Sequence, residues 1–178
     1  MITLEKLNGM MTRGDAAMGG YDPELLFQIA SQGKTYVEIG TKFGGSAIVA
    51  GLAGCEVHCI DHWEYPDRDP QTAPTPEYVL ENWISAGLDP KKLRLYIHRH
   101  PPWPKALEHR MFDIGLIDGS HQEDACRKDW EEMRLHVTKY ILFHDFNPQH
   151  PGVYKAFLEA AEDSEWQPIA HQYGILMR

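Results

Sequence analysis

The sequence lacks the features of several classes of protein. Its three cysteines, Cys55, Cys59 and Cys126, fit neither a disulfide framework nor a zinc knuckle, so we expect buried thiols in a reducing compartment, the cytoplasm. The N-terminus has no basic region followed by an apolar run, and no stretch approaches the ~20 apolar residues that a membrane span needs. These absences predict a chain without a targeting segment or a membrane partner.

Positive charge is also scarce. The chain has 17 Lys and Arg against 26 Asp and Glu, which gives a formal net charge of −9. Such a surface repels phosphate groups, so we expect no nucleic-acid partner. The remaining composition, 43% apolar and 24% charged over 178 residues, is ordinary for a globular protein and predicts one domain spanning residues 1–178.

Short apolar runs alternate with helix-like stretches, as a parallel sheet with helical crossovers requires. The predicted strands are Thr35–Ile39, Glu56–Ile60, Leu93–Ile97, Ile114–Ile117 and Tyr140–Phe143, with a terminal hairpin of Gln167–His171 and Ile175–Met177 around Gly174. The first predicted helix begins at Asp22-Pro23-Glu24. The other predicted helices span Ser46–Leu52, Pro76–Ala86, His121–His136 and Val153–Glu162. We expect the charged residues of the helix over 121–136 to form a solvated face.

Two proline-rich segments follow predicted strands, and we expect them to be loops. They are Glu64–Thr75, which contains Pro66, Pro70 and Pro74, and His98–Pro104. Loops at strand ends often carry binding residues. Substrate selectivity is therefore expected to reside in these two segments.

A glycine-rich turn, residues 40–45, joins the first predicted strand to the next helix. Glycines let the backbone turn sharply and approach a ligand, and the start of the helix offers unpaired N–H donors. The dinucleotide fingerprint Gly-x-Gly-x-x-Gly requires glycine where Lys42 stands, which argues against NAD. The alternative to a ligand-binding loop is a structural turn without a ligand.

Three other predicted strands end in acidic or histidine side chains. Asp61 ends the second strand, and its carboxylate could accept both hydrogen bonds of a ribose diol. His62 and Trp63 follow it and could flank an adenine, although Trp63 could equally pack over the glycine loop. Asp118 and His121 follow one later strand and His144 and Asp145 another, so the tips should converge on one crevice. Both aspartates could instead cap the following helices.

These motifs resemble class I methyltransferases that use S-adenosylmethionine (SAM). The order acid, x, Gly, x, x, x, Gly over residues 38–44 resembles their first motif. Asp-Gly-Ser-His at 118–121 and His-Asp-Phe at 144–146, with Pro-Gly-Val at 151–153, resemble a family of small-molecule and sugar O-methyltransferases related to the catechol type. The resemblance begins near Tyr21, which divides the chain into an N-terminal segment, 1–20, and a core, 21–178.

This resemblance implies an α/β fold, a doubly wound Rossmann-like sheet of seven mostly parallel strands with an antiparallel last strand and helices on both faces. It also implies where the cofactor is bound. The cofactor-binding candidates are Glu38, Gly40, Thr41, Lys42, Gly44, Ser46, Asp61, His62 and Asp118.

The catalytic and metal-binding candidates also follow from the resemblance. Asp118 and Asp145 match two metal-binding aspartates of the catechol type, and His121 lies where that type has a catalytic lysine. The third family ligand, an asparagine, is replaced by Phe146. His144 or Asn147 could compensate in holding Mg²⁺ or another divalent ion, or the site works without metal.

The predicted function is transfer of a methyl group from SAM to a hydroxyl oxygen of a small molecule, a sugar or a phenol, with His121 as the base and Asp118 and Asp145 beside it. Two alternatives stay open. One is a regulatory or scaffold protein that binds SAM without transferring its methyl group. The other is a non-haem iron enzyme with His121, His144 and Asp145 as ligands. A homo-oligomer could complete the pocket of so short a chain.

Overall fold

The structure is a computed structural model that describes residues 2–14, 23–69, 71–169 and 174–178. Within these residues, the α-helices lie mostly where apolar residues recur at helical spacing. They are Leu4–Met10 (α1), Pro23–Ala30 (α2), Gly45–Leu52 (α3), Pro76–Ser85 (α4), Glu123–His136 (α5) and Pro151–Ala160 (α6). Short 3₁₀ turns at Pro90–Lys92 and Lys105–Leu107 complete the helical segments.

The strands form one twisted layer in the middle of the molecule. They are Thr35–Ile39 (β1), Glu56–Asp61 (β2), Leu93–Ile97 (β3), Phe112–Ile117 (β4), Val137–Phe143 (β5), Gln167–Ile169 (β6) and Gly174–Met177 (β7). Their order across the seven-stranded sheet is β3-β2-β1-β4-β5-β7-β6. β7 runs antiparallel to both of its neighbours, whereas β1 to β5 pair in parallel, so the predicted fold is confirmed.

Helices cover both faces of the sheet because its strands are apolar on both sides. Along β1, Tyr36 packs into a core with α1 to α4, whereas Val37 packs into a second core with α5 and α6. Successive side chains of a strand point to opposite faces, so one strand contributes to both cores. Trp83 of α4 and Trp130 of α5 are large buried members of the two cores.

Some predicted boundaries differ from the structure. α5 begins at Glu123, so His121 precedes the helix, and Gly174 belongs to β7 and not to the hairpin turn. The predicted Asp22 N-cap and the predicted end of β6 at His171 lie outside the described residues. α1 was not predicted; Thr3 caps it by accepting a hydrogen bond from the Lys6 amide.

The predicted buried thiols are confirmed, since Cys55, Cys59 and Cys126 are all buried and unbridged. In the parts of the chain that the structure covers, no helix is both long enough and apolar enough to cross a membrane.

Candidate active site

The carboxyl ends of β1, β2, β4 and β5 surround a single cavity of about 610 Å³. This is the edge of a doubly wound sheet at which ligands bind, next to the point where the strand order reverses between β1 and β4. Most of the residues predicted for the site line this cavity. They are Gly40, Lys42, Asp61, His62, Asp118, His121, His144 and Asp145.

The loop after β1 forms one wall of the cavity through its backbone. Gly40 has φ = 91°, and a Cβ atom at this position would lie only 2.0 Å from the carbonyl oxygen of Asp118. Lys42 has φ = 54°, also in the left-handed region, and its amide donates a hydrogen bond to Oδ2 of Asp61 over 2.9 Å. The close approach of β1 to β4 therefore requires glycine at position 40.

The other four first-motif residues lie behind this loop. Glu38, Thr41, Gly44 and Ser46 are buried and do not line the cavity. The Ser46 hydroxyl donates to Oε2 of Glu38 over 2.6 Å, and the Tyr36 hydroxyl donates to the same atom over 2.9 Å. Burial raises the pKa of Glu38 to about 7, although these hydrogen bonds oppose the rise. In this geometry Glu38 fastens α3 to β1; direct contact of these residues with a cofactor stays a prediction.

Asp61 ends β2 beneath the glycine loop. Its carboxylate accepts hydrogen bonds from the amides of Lys42 and Trp63 and from the Tyr65 hydroxyl, over 2.8 to 3.0 Å. An ionised carboxylate offers about four acceptor sites, so these three donors leave roughly one for a ligand. A ribose diol would therefore replace the Tyr65 hydroxyl or share its acceptor.

Two residues that follow Asp61 take different places. His62 lines the cavity, and its Nδ1 accepts a hydrogen bond from the Glu64 amide over 2.8 Å. Trp63 instead packs over the glycine loop and donates from Nε1 to the carbonyl of Lys42 over 3.2 Å. Of the two roles considered for Trp63, the structure shows the packing role.

The tips of β4 and β5 bring two aspartates and two histidines into contact. Nδ1 of His144 lies 2.9 Å from Oδ1 of Asp118 and 2.8 Å from Oδ2 of Asp145. Nε2 of His121 lies 3.0 Å from the same Oδ2 of Asp145. Asp145 has φ = 54°, so its backbone is held in the left-handed region while its side chain reaches both imidazoles. Strained non-glycine residues of this kind are concentrated at functional sites.

Charge within this network is strongly coupled. Burial acts to lower the pKa of His144, but hydrogen bonds and attraction to both aspartates outweigh it and raise the pKa to about 9. Burial raises the pKa of Asp118, whereas the pKa of Asp145 is lowered, because the hydrogen bond from His144 outweighs burial there. The raised pKa favours the imidazolium form of His144 between the two carboxylates.

Helix capping does not explain the two aspartates. The N-cap residues of α5 and α6 are Gln122 and His150, so neither Asp118 nor Asp145 caps the helix that follows it.

The ligand set of the catechol type does not fit at position 146. Phe146 stacks on Tyr154 and contacts Phe157 of α6, at ring-centroid distances of 5.1 and 4.5 Å. Asn147 does not replace the missing ligand, because its Oδ1 accepts a hydrogen bond from the Gln149 amide in a local turn. His144 does contact both aspartates, so a site formed by Asp118, Asp145 and His144 stays a prediction.

Two groups of three metal-binding side chains meet at Asp145 within the described residues. One consists of Asp118, His144 and Asp145, and the other of His121, Asp145 and His150. The set expected for an iron enzyme, His121 with His144 and Asp145, is neither of these. His150 was not among the predicted site residues.

The structure adds further residues to the cavity. Tyr65 and Arg68 come from the first proline-rich loop, and His98, Arg99 and His100 come from the second. Arg99 and Glu64 form an exposed ion pair of 2.5 Å that joins the two loops. Both loops expected to determine selectivity therefore border the cavity.

His100 contacts Asp129 of α5, one of the charged residues expected on a solvated face. Nδ1 of His100 lies 2.6 Å from Oδ1 of Asp129, and the two side chains are only 3% and 4% exposed. The solvated-face prediction is wrong for Asp129, because α5 turns this residue towards the sheet together with Cys126, Trp130 and Met133.

Residues 37–146, more than half of the chain, match the family model described as a methyltransferase domain. The chain belongs to the methyltransferase domain family. The class I SAM-dependent methyltransferase resemblance is thereby confirmed, and no curated protein matches this methyltransferase.

Solved structures share the fold of this methyltransferase at low sequence identity. The O-methyltransferase from Bacillus cereus in complex with SAH has 13% identity and a TM-score of 0.63, covering 98% of this chain and 90% of its own. TomG from Streptomyces achromogenes, in complex with SAM, has 16% identity and a TM-score of 0.59, with 94% and 90% covered. SAH-bound PaMTH1 from Podospora anserina has 16% identity and a TM-score of 0.63, with 87% and 76% covered.

Proposed function

We propose that this methyltransferase transfers the methyl group of SAM to a hydroxyl oxygen of a small molecule. The observation that carries the proposal is the single cavity in which the glycine loop and Asp61 lie opposite the His121–Asp145 pair. One side offers backbone and carboxylate groups for a cofactor, and the other offers a group that can accept a proton. Methyl transfer from a sulfonium depends mainly on such positioning.

His121 is the proposed base. Asp145 accepts a hydrogen bond from the N–H group at Nε2 of His121. The lone pair on Nδ1 is therefore available to an acceptor hydroxyl. The hydroxyl oxygen attacks the methyl carbon, its proton passes to Nδ1, and the carbon–sulfur bond breaks with its electron pair on sulfur. The products are the methyl ether and S-adenosylhomocysteine. His144 contacts Asp145 directly and is itself contacted by Asp118 at the end of β4.

A divalent ion at Asp118, Asp145 and His144 would lower the pKa of an acceptor hydroxyl. The steps above use only the side chains of this chain.

Calorimetric titration with S-adenosylhomocysteine tests the cofactor site. We expect saturable binding that weakens about tenfold or more in Asp61→Ala, because a hydrogen bond to a charged group is lost, and no binding of NAD. Absence of S-adenosylhomocysteine binding by the folded protein would overturn the proposal.

An acceptor screen with SAM then tests transfer. His121→Ala should keep its affinity for S-adenosylhomocysteine and lose about 10²–10⁴-fold in rate. A protein that binds the cofactor without any transfer would instead give no product with any acceptor, with or without Mg²⁺.

A further inference from the structure

The cluster of His121, Asp145 and His150 lies at the mouth of the cavity. Its side chains are 46%, 14% and 32% exposed, in that order, so solvent reaches all three. His121 and Asp145 also line the cavity, whereas His150 approaches from the loop before α6. A ligand held here would therefore border any molecule bound beside His121.

The distances within the cluster suit a single bound ion. Nε2 of His121 lies 3.0 Å from Oδ2 of Asp145, and Nε2 of His150 lies 4.0 Å from Oδ1 of the same carboxylate. Donor atoms bound about 2.1 Å from one ion, with tetrahedral or octahedral angles, are about 3.0–3.4 Å apart. All three residues offer donor atoms within 4.8 Å of one another.

The arrangement of the imidazoles supports this. The rings of His121 and His150 lie 4.2 Å apart, tilted by 53°, and each has a nitrogen directed at the one carboxylate of Asp145. Two imidazoles that converge on a carboxylate from two different loops can supply three ligands to one ion. The exposed side leaves positions for water or for an oxygen ligand.

The donor chemistry selects the kind of ion. Imidazole nitrogen suits Zn²⁺, Fe²⁺, Co²⁺ and Ni²⁺, whereas Mg²⁺ prefers oxygen ligands. The neighbouring group of Asp118, His144 and Asp145 differs, because its one histidine is 6% exposed and contacts both carboxylates through the same nitrogen. The more open and nitrogen-rich group is the better site for a transition metal.

We propose that His121, Asp145 and His150 form a binding site for a divalent transition metal ion. An ion on Nε2 and a proton-accepting Nδ1 are alternative states of His121, because a neutral imidazole that binds metal through Nε2 carries its proton on Nδ1. Metal binding itself does not depend on the proposed methyl transfer.

Titration with Co²⁺, followed by visible absorption, tests the site in the full-length protein without cofactor. The wild type should bind Co²⁺ with the spectrum of histidine ligation, and Zn²⁺ but not millimolar Mg²⁺ should displace it. His150→Ala should weaken binding by at least about tenfold. His109→Ala, which removes an exposed histidine elsewhere, is the control and should bind Co²⁺ as the wild type does.

Several outcomes would overturn the proposal. They are absence of Co²⁺ binding by the wild type, unchanged affinity in folded His150→Ala, an equal loss of affinity in His109→Ala, and displacement by Mg²⁺. If circular dichroism shows that His150→Ala does not fold, His150→Gln takes its place, since glutamine keeps a polar side chain and lacks the imidazole donor. No cofactor or acceptor takes part, so a negative result here leaves the binding and transfer tests of the proposed function intact.

Discussion

The loops after β1 and β5 share a backbone conformation and use it differently. Lys42 in the first and Asp145 in the second both have φ = 54°, in the left-handed region that favours glycine. At Lys42 the backbone amide makes the important contact, with Asp61, whereas at Asp145 the side chain contacts His121 and His144. The same strain therefore positions a main-chain donor in one loop and a carboxylate in the other.

The two loops also differ in what supports them. The β1 loop is supported by the buried carboxyl of Glu38. It also depends on the close approach of the Asp118 carbonyl to Gly40, which leaves no room for a side chain there. The β5 loop is supported by ion pairs whose members are partly open to solvent. Steric fit should therefore be the main determinant of function in the β1 loop. In the β5 loop, the chemistry of the side chains should be the main determinant.

The largest effect is expected for Asp145→Gly. Glycine accepts the backbone conformation, but the carboxylate that orients His121 is lost, so the transfer rate should fall about 10²–10⁴-fold. Steady-state rates with an identified acceptor measure this, and calorimetry with S-adenosylhomocysteine should show nearly unchanged cofactor affinity. A full transfer rate in Asp145→Gly would contradict the role assigned to this carboxylate.

Gly40→Ala tests the importance of shape in the β1 loop. Its Cβ would clash with the Asp118 carbonyl oxygen, so we expect a loss of at least about 3 kcal/mol of unfolding free energy and loss of cofactor binding. Gly54→Ala is the matched control, since Gly54 has φ = 101° and no atom within 4 Å of the added carbon. The control should lose only about 1–2 kcal/mol, the cost of the backbone conformation. Equal losses in urea unfolding would show that the clash is relieved.

Glu38→Gln tests the buried support of the same loop through pH. Because the pKa of Glu38 rises from its ordinary 4.5 to about 7 on folding, the stability associated with its protonation is present below pH 4.5 and is lost as the pH rises through 7. Between pH 4.5 and pH 8, the unfolding free energy of the wild type should therefore fall by about 3 kcal/mol more than that of Glu38→Gln. Urea unfolding at both pH values measures the difference, with the exposed Glu5→Gln as control. Parallel pH profiles for Glu38→Gln and the wild type would be inconsistent with a buried, protonated Glu38.

The smallest effect is expected for Lys42→Gly. Relief of the left-handed strain, about 1–2 kcal/mol, is partly offset by the greater freedom of glycine in the unfolded chain, about 0.5–1 kcal/mol. The unfolding free energy should change by no more than about 1.5 kcal/mol, and cofactor affinity should be kept because the Asp61 contact comes from the backbone. A large loss of affinity would show that the lysine side chain itself binds the cofactor.

Most of the sheet could be predicted because its strands are short apolar runs, of which β2, β4 and β5 lead into acids, and the helix starts carry local signals. Thr75, for example, accepts a hydrogen bond from the Tyr78 amide directly before Pro76 begins α4. α1 escaped prediction because it is only seven residues long. A helix of that length depends on tertiary contacts, here the burial of Leu7, more than on its own propensity.

The site could be predicted where residues lie at strand tips, because parallel topology brings those tips together. His150 could not, since its approach to Asp145 depends on a turn in which the His150 amide donates to the Asn147 carbonyl. The sequence does carry a signal for the burial of Asp129. It lies at helical spacing from Cys126 and Met133, within the apolar stripe of α5, and a buried acid in such a stripe usually has a partner.

Phe146 restricts how this chain could change by single substitutions. An asparagine there would match the third metal ligand of the catechol type, but it would also remove the ring that stacks on Tyr154 and contacts Phe157. That loss would cost roughly 1–3 kcal/mol for a half-buried aromatic residue, a large part of the stability of a small domain. A path to that ligand set would therefore pass through a destabilised intermediate unless α6 changed first, so position 146 and the packing of α6 should evolve together.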